Sequence, residues 1–402
     1  MSVEPRRIVI ATLWMAVLTA APASVAQPTR LEMEVNAFVQ DVRQHTPGSL
    51  DDPARRIAAL PWPTLQRVLE QVVAAGDEEV LLRSATLLTD IARHLPLAQR
   101  PLSGREGQSI IAEDGDRRGR GFLDPHLAWG RRLVDRLVLD PRAPRYQEMR
   151  SHALAWYRAV SSWLASELNL ADLQPHIERS LVLFPDVAAV AFDAGCYFET
   201  YASPAVQASV LAEEPSSPSH RRPTDLMRAY ATSSRNLLDT AERHFEQAVT
   251  RDPALTEAHV RLGRVRTVRG QVQDAVGVLR RASAMPADAT VRYFAYLFLG
   301  DALERGGSTS GAESAYRSAS SLAPSAQSPQ LAISRLSAAA GNEEAARSSL
   351  ERVFAARASA DGGFDPWWLY HRCSGRDVDA VMGAFAMRID GVADTSATRR
   401  VR

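Results

Sequence analysis

Lysine is absent from this 402-residue chain, and all 47 of its basic residues are arginine. Lysine-based phosphate loops and Schiff-base chemistry are therefore excluded. Cysteine is nearly absent: Cys196 and Cys373 stand far apart, and neither belongs to a Cys-x-x-Cys. An exported chain could pair them, but Cys196 lies among Ala194, Gly195, Tyr197 and Phe198, the setting of a small buried hydrophobe. The nine histidines are scattered, with no His-Glu-x-x-His or other close pair, so neither a metal nor any other cofactor is expected. His152 and His176, which flank a predicted hairpin, read as structural. No Gly-x-Ser-x-Gly occurs, neither cysteine has the local signature of a nucleophile, and no catalytic residue is nominated. Net charge is missing as well. The 47 basic residues meet 47 acidic ones, leaving no basic face that would call for nucleic acid and no polybasic patch for a membrane surface.

The amino terminus reads as a targeting segment. Glu4, Arg6 and Arg7 precede an apolar run from Ile8 to Ala21, shorter than the roughly 20 residues that span a bilayer. Pro22 breaks the run, and Ala21-Pro22-Ala23 and Ser24-Val25-Ala26 supply small residues. This pattern is that of a cleaved export signal over residues 1–26, which makes the expected location periplasmic or secreted. The alternative is an uncleaved signal that anchors the chain in the inner membrane. Arg6-Arg7 lacks the rest of a twin-arginine motif, and no cysteine near the cleavage region supports a lipid anchor. Cleavage after Ala26 leaves 45 basic and 46 acidic residues and no stable membrane span.

Beyond residue 27, apolar residues recur at three- and four-residue steps and strand-like alternation is scarce, so the class is all-α. Helices are expected near 31–44, 51–59, 63–75 and 77–94, then near 126–139 and 145–168. A long loop, 96–124, interrupts the divergent N-terminal region, 27–144. It carries the run Arg117-Arg118-Gly119-Arg120-Gly121, offset by Asp114 and Asp116 and read as solvated. Acid pairs at Asp51-Asp52, Glu78-Glu79 and Glu343-Glu344 suit helix starts. Residues 145–202 read as degenerate repeat-like helices, and the Ser/Pro-rich stretch 203–223 as a surface insertion.

A ladder of alanines then appears: Ala241, Ala275, Ala312, Ala346 and Ala380, at steps of 34, 37, 34 and 34 residues. Four residues after each comes Phe245, Leu279, Tyr316, Leu350 or Ala384, and three further Ala248, Ala282, Ala319, Val353 or Met387. Gly270, Gly307, Gly341 and Gly375 precede four of the alanines by five residues. Self-similarity at this period marks stacked repeats, which work by presenting a surface. The longer step places a three-residue addition near 287–292.

The repeat containing Tyr296, Leu299-Gly300, Leu303, Gly307, Ala312, Tyr316, Ala319 and Pro324 resembles the tetratricopeptide repeat. Leu262-Gly263, Gly270, Ala275, Leu279 and Ala282 repeat the pattern, as do Ile333-Ser334, Gly341, Ala346, Leu350 and Val353. Arg266 departs from it, standing where that family prefers an aromatic. The resemblance is clear over 232–357, within a predicted array 224–357, and weaker over 145–202 and 361–389. It implies a right-handed α-solenoid of antiparallel helix hairpins. Gly263, Gly300 and Ser334 would be small because helices cross there, and Leu279, Tyr316 and Leu350 would fill the space between neighbouring repeats.

The resemblance also implies a concave groove lined by the first helix of each pair. On this sequence the groove would include Phe192, Glu199, Val260, Arg264, Leu297, Asp301, Arg305, Leu331 and Arg335. Arg264, Asp301 and Arg335 fall at equivalent places and could form a stripe of alternating charge. Trp367, Trp368 and Tyr370, in the densest aromatic cluster, read as capping the open end of the core within a degenerate terminal repeat, 358–402, or as an aromatic hot spot. The function these features favour is a non-enzymatic interaction scaffold of the bacterial envelope that binds a protein or peptide segment. The alternatives are a structural subunit of an envelope or transport assembly, and an enzyme with a convergent polar pocket near residues 31–150.

Overall fold

The computed structural model describes residues 28–96, 99–101, 124–204, 206–207, 223–357 and 365–371. The expected signal segment, the body of loop 96–124, the body of the 203–223 insertion, Cys373 and the ladder positions after His371 lie outside them. Among the described residues the chain is all-α, an α-solenoid of antiparallel helix hairpins of tetratricopeptide type, with no strand.

The N-terminal helices are α1 (Arg30–Gln44), α2 (Asp52–Ala58), α3 (Trp62–Ala75), α4 (Glu78–His94) and α5 (Pro125–Arg136). Their starts follow from sequence. Thr29 and Glu32 form a reciprocal capping box, and Asp51, Asp77 and Asp124 accept hydrogen bonds from the first free amides of α2, α4 and α5. Buried polar residues tie the connections to this core. The ring of His45 sits between Asp51 (2.9 Å) and Asp90 (3.0 Å), and Asp90 also accepts the Gly48 amide. Arg100 pairs with Asp124 and donates to His126 Nδ1 at 2.9 Å. The second of these clusters joins Arg100 to Asp124 and so pins the chain on either side of residues 102–123. No helix among the described residues is long and apolar enough to cross a membrane.

The helices α6 (Tyr146–Ser166) and α7 (Leu170–Leu183) lead into the repeats. Four hairpins follow: α8 (Ala188–Tyr201) with α9 (Pro223–Arg251), α10 (Thr256–Val268) with α11 (Val272–Ala284), α12 (Ala289–Arg305) with α13 (Thr309–Leu322), and α14 (Gln327–Ala339) with α15 (Glu343–Arg357). The tight turns within the last three hairpins use Gly270, Gly307 and Gly341 at φ of 83°, 79° and 75°, a left-handed backbone that costs little only for glycine.

The first helix of each hairpin meets the second where it carries a small residue. A Cβ added at Gly195 would strike the Phe245 ring, one at Gly263 the Leu279 side chain, and one at Gly300 the Tyr316 ring. Ser334 makes the fourth crossing and donates its hydroxyl to the Ala346 carbonyl at 2.9 Å. This corrects one expectation: Leu279 and Tyr316 fill the crossing inside their own hairpin, and Leu350 is 37% exposed. The aromatic missing at Arg266 is replaced by ion pairs, since its guanidinium reaches Glu242 (2.8 Å) and Glu246 (2.6 Å) on α9.

Two glycine-to-alanine exchanges should therefore have opposite signs. Gly300→Ala forces Tyr316 to move and should lower stability by about 1–3 kcal/mol. Gly277→Ala on α11, where an added Cβ meets nothing within 4 Å, should raise it by roughly 0.5–1 kcal/mol. Thermal melts of both variants test this, and equal effects would contradict the crossing geometry.

Candidate concave-face site

The first helices of the four hairpins, α8, α10, α12 and α14, line one face, and a short segment of the same chain lies across it. That segment runs from Asp365 to His371 and includes a 3₁₀ turn over Pro366–Leu369. Asp365 is fully buried. One carboxylate oxygen accepts the Tyr293 hydroxyl (2.8 Å) and the Trp367 amide (2.9 Å), and the other accepts the Ser328 amide (2.7 Å) in the first turn of α14. Tyr370, 1% exposed, packs edge-on against Phe294 and Phe298 of α12. Its hydroxyl donates to Glu199 on α8 at 2.8 Å, and its carbonyl accepts from Arg261 on α10 at 3.0 Å. The His371 ring lies 3.3 Å from the Thr200 hydroxyl.

The floor of this site is an ion cluster in which Glu199 and Arg261 are buried and Glu257 and Arg264 half-buried. Glu199 accepts from Arg261 (3.0 Å) and Arg264 (2.5 Å), and Arg261 also pairs with Glu257 at 3.0 Å. On α10, Glu257, Arg261 and Arg264 follow at four- and three-residue steps and so share a face. Burial pushes the Glu199 carboxyl up, but Arg264 and Arg261 more than offset it and hold it below the usual range. Burial pushes Glu257 up as well, and there it prevails over the opposing Arg261, so that carboxyl lies above its ordinary value. Both guanidinium groups also face aromatic rings of the segment. Arg261 lies 4.3 Å from the Tyr370 ring centre, and Arg264 lies 4.5 Å from Tyr370 and 4.9 Å from Trp367, within cation–π range. Beside the cluster is a cavity of about 20 Å³, room for one water, lined in part by Ser161, Asp193, Cys196 and His371. Burial raises the Cys196 thiol well above its ordinary value, so it is a poor nucleophile here.

The expected groove residues do not form a single solvated stripe. Phe192 and Val260 are buried, with Phe192 beneath Arg261. Arg264, expected to be open to a partner, is enclosed by Glu199 and by the segment. Leu297 is buried on α12. Asp301 and Arg305 pair with each other at 3.0 Å, and Arg335 pairs with Glu304 at 2.6 Å. Leu331, 46% exposed, and Arg335 remain at the open end of the face. Trp367 and Tyr370 do not cap the end of the stack as expected. They lie in its concave face, while Trp368 is 58% exposed. Reading the sequence missed Arg261, Glu257, Asp365, Tyr293 and His371. The helical spacing of Glu257, Arg261 and Arg264 was the available signal for the first two.

The class this geometry defines is a helical-repeat solenoid with an occupied concave face. No family model matches the chain, and no curated protein matches it. Solved structures share the helical-repeat fold. One of MamA is 21% identical over 38% of this chain and 85% of that one, with a TM-score of 0.29. A second of MamA is 16% identical over 51% of this chain and 91% of that one, with a TM-score of 0.35. A human IFIT1 dimer with m7Gppp-AAAA is 14% identical over 82% of this chain and 73% of that one, with a TM-score of 0.32. These likenesses concern fold. The expectation that nucleic acid is not a partner rests on the charge balance of the sequence alone.

The docked segment should respond to pH. Burial and the nearby Arg264 push His371 from 6.5 to about 4, with Glu199 opposing. A released His371 would bind a proton first, so docking is fully favoured above about 6.5 and weakens as pH falls toward about 4. Asp193 on α8 acts oppositely on the fold, because burial raises it to about 7, with Arg158 opposing. The segment must therefore be followed directly. Its amide exchange, corrected for intrinsic rate, should accelerate by about tenfold between pH 7 and pH 5; an unchanged protection factor would contradict the placement of His371.

Proposed function

We propose that this chain is a non-enzymatic interaction scaffold of the bacterial envelope, an exported protein of the tetratricopeptide class that binds a protein segment on its concave face. One observation carries the reading: the first helices of four successive hairpins already hold a short peptide segment through side-chain anchors. Repeat solenoids use such surfaces for partners. The polar clusters near the amino-terminal half, His45–Asp51–Asp90 and Arg100–Asp124–His126, satisfy one another and serve as ties between loops and helices. The charged start, the short apolar run and the small residues before Gln27 support export.

A photo-crosslinking residue placed at Leu331 or Arg335 of the full chain, in the native cell envelope, should capture a discrete protein partner. The same residue at Arg317 on α13, 71% exposed, should not. Equal products from both faces would contradict a concave-face role. Amino-terminal sequencing of the envelope form should begin at Gln27; an intact Met1 would overturn the cleaved-signal reading.

A further inference from the structure

We propose that the concave groove recognises a segment of the pattern acid–x–Trp–x–x–Tyr, and that Asp365–His371 is the chain's own copy of that ligand, displaced when a partner segment of the same chemistry binds. The inference rests on the concave-face reading above and adds to it the chemistry of the partner.

The segment is held as a ligand is held. Among the described residues it pairs with no helix as a hairpin partner and forms only a short 3₁₀ turn. Its main anchors are the side chains of Asp365, Trp367 and Tyr370, spaced along it, and the Tyr370 carbonyl, with the His371 ring beside Thr200. Each reaches a different part of the face. Asp365 meets the first turn of α14 and the hydroxyl of Tyr293 on α12. Trp367 stacks against Tyr370 and packs edge-on to Phe298. Tyr370 reaches Glu199 on α8 and Arg261 on α10.

The groove also states what charge it will accept. Arg261 and Arg264 are matched within the protein by Glu199 and Glu257. An acidic side chain at the Tyr370 position would face Glu199, and a basic one would face both arginines. The position is therefore suited to a neutral aromatic group that donates one hydroxyl hydrogen to Glu199 and offers its faces to the guanidinium groups. The carboxylate that the site does accept lies at the other end, where the Ser328 amide, at a helix N-terminus, and the Tyr293 hydroxyl donate to it. Without an occupant, Phe294, Phe298 and the polar groups of the Arg–Glu cluster would face water together. The resident segment covers that surface until a partner replaces it, which makes it a competitor for the partner.

The test uses full-length protein and a fluorescent peptide with the sequence of residues 363–372. Wild-type chain should bind this probe weakly, because its own segment competes. The Tyr370→Ala chain, checked for native helicity and melting, should bind it on the order of tenfold more tightly. Replacing the probe's tyrosine by phenylalanine, or its aspartate by asparagine, should each weaken binding on the order of tenfold, and a scrambled probe should not bind. A folded Tyr370→Ala chain that binds the probe no better than wild type, or binds the scrambled probe equally, overturns the proposal. Should Tyr370→Ala fail to fold, Trp367→Ala serves with the same expectations. Photo-crosslinks from Leu331 that persist when the probe fails would sink this inference while sparing the concave-face reading; loss of both would sink both.

Discussion

The structure depends on how closely its helices can cross. At Gly195, Gly263, Gly300 and Ser334 the first helix of a hairpin offers a glycine or a hydroxyl, and the second lays Phe245, Leu279, Tyr316 or the backbone at Ala346 against it. A larger side chain at any of these points would push the helices apart and lose the interdigitation on which a packed interior relies. The alanine ladder serves the same constraint: Ala241, Ala275 and Ala312 are completely buried. The crossings thus fix how closely the first helix of each hairpin, the one that lines the face, lies against the second.

On that face a second constraint operates. Arg261 and Glu199 are buried, with Arg264 and Glu257 half-buried beside them, and taking such charges out of water is costly unless nearly every hydrogen-bonding direction is met. Tyr370 contributes to both sides of this balance, donating its hydroxyl to Glu199 and accepting from Arg261 at its carbonyl. A buried ion pair of this kind does less for stability than for selectivity, because a ligand that fails to complete it leaves polar groups unpaired. The selectivity proposed for the groove rests on this requirement.

The repeat architecture was legible because its determinants are local. A positive-φ turn needs glycine, a crossing needs a small residue, and both recur in register at Gly270, Gly307 and Gly341 and at Gly263 and Gly300. The site was legible only in part. Arg264 and Arg335 occupy equivalent places in the repeat, yet one is enclosed and the other exposed, because a segment far along the chain covers the first alone. Tyr370 reaches Arg261 across 109 residues and Glu199 across 171. No period or local pattern encodes a contact of that range. The aromatic cluster at Trp367, Trp368 and Tyr370 announced burial or binding, but its place, across the groove instead of over the end, follows from three-dimensional complementarity alone.

The central claim is that Tyr370 completes the buried charge of Glu199. A double-mutant cycle with Glu199→Gln and Tyr370→Phe, read from unfolding free energies, measures that contact directly. The account predicts a coupling of about 1–3 kcal/mol between the two positions. Additivity within about 0.3 kcal/mol, with both single variants folded, would contradict it.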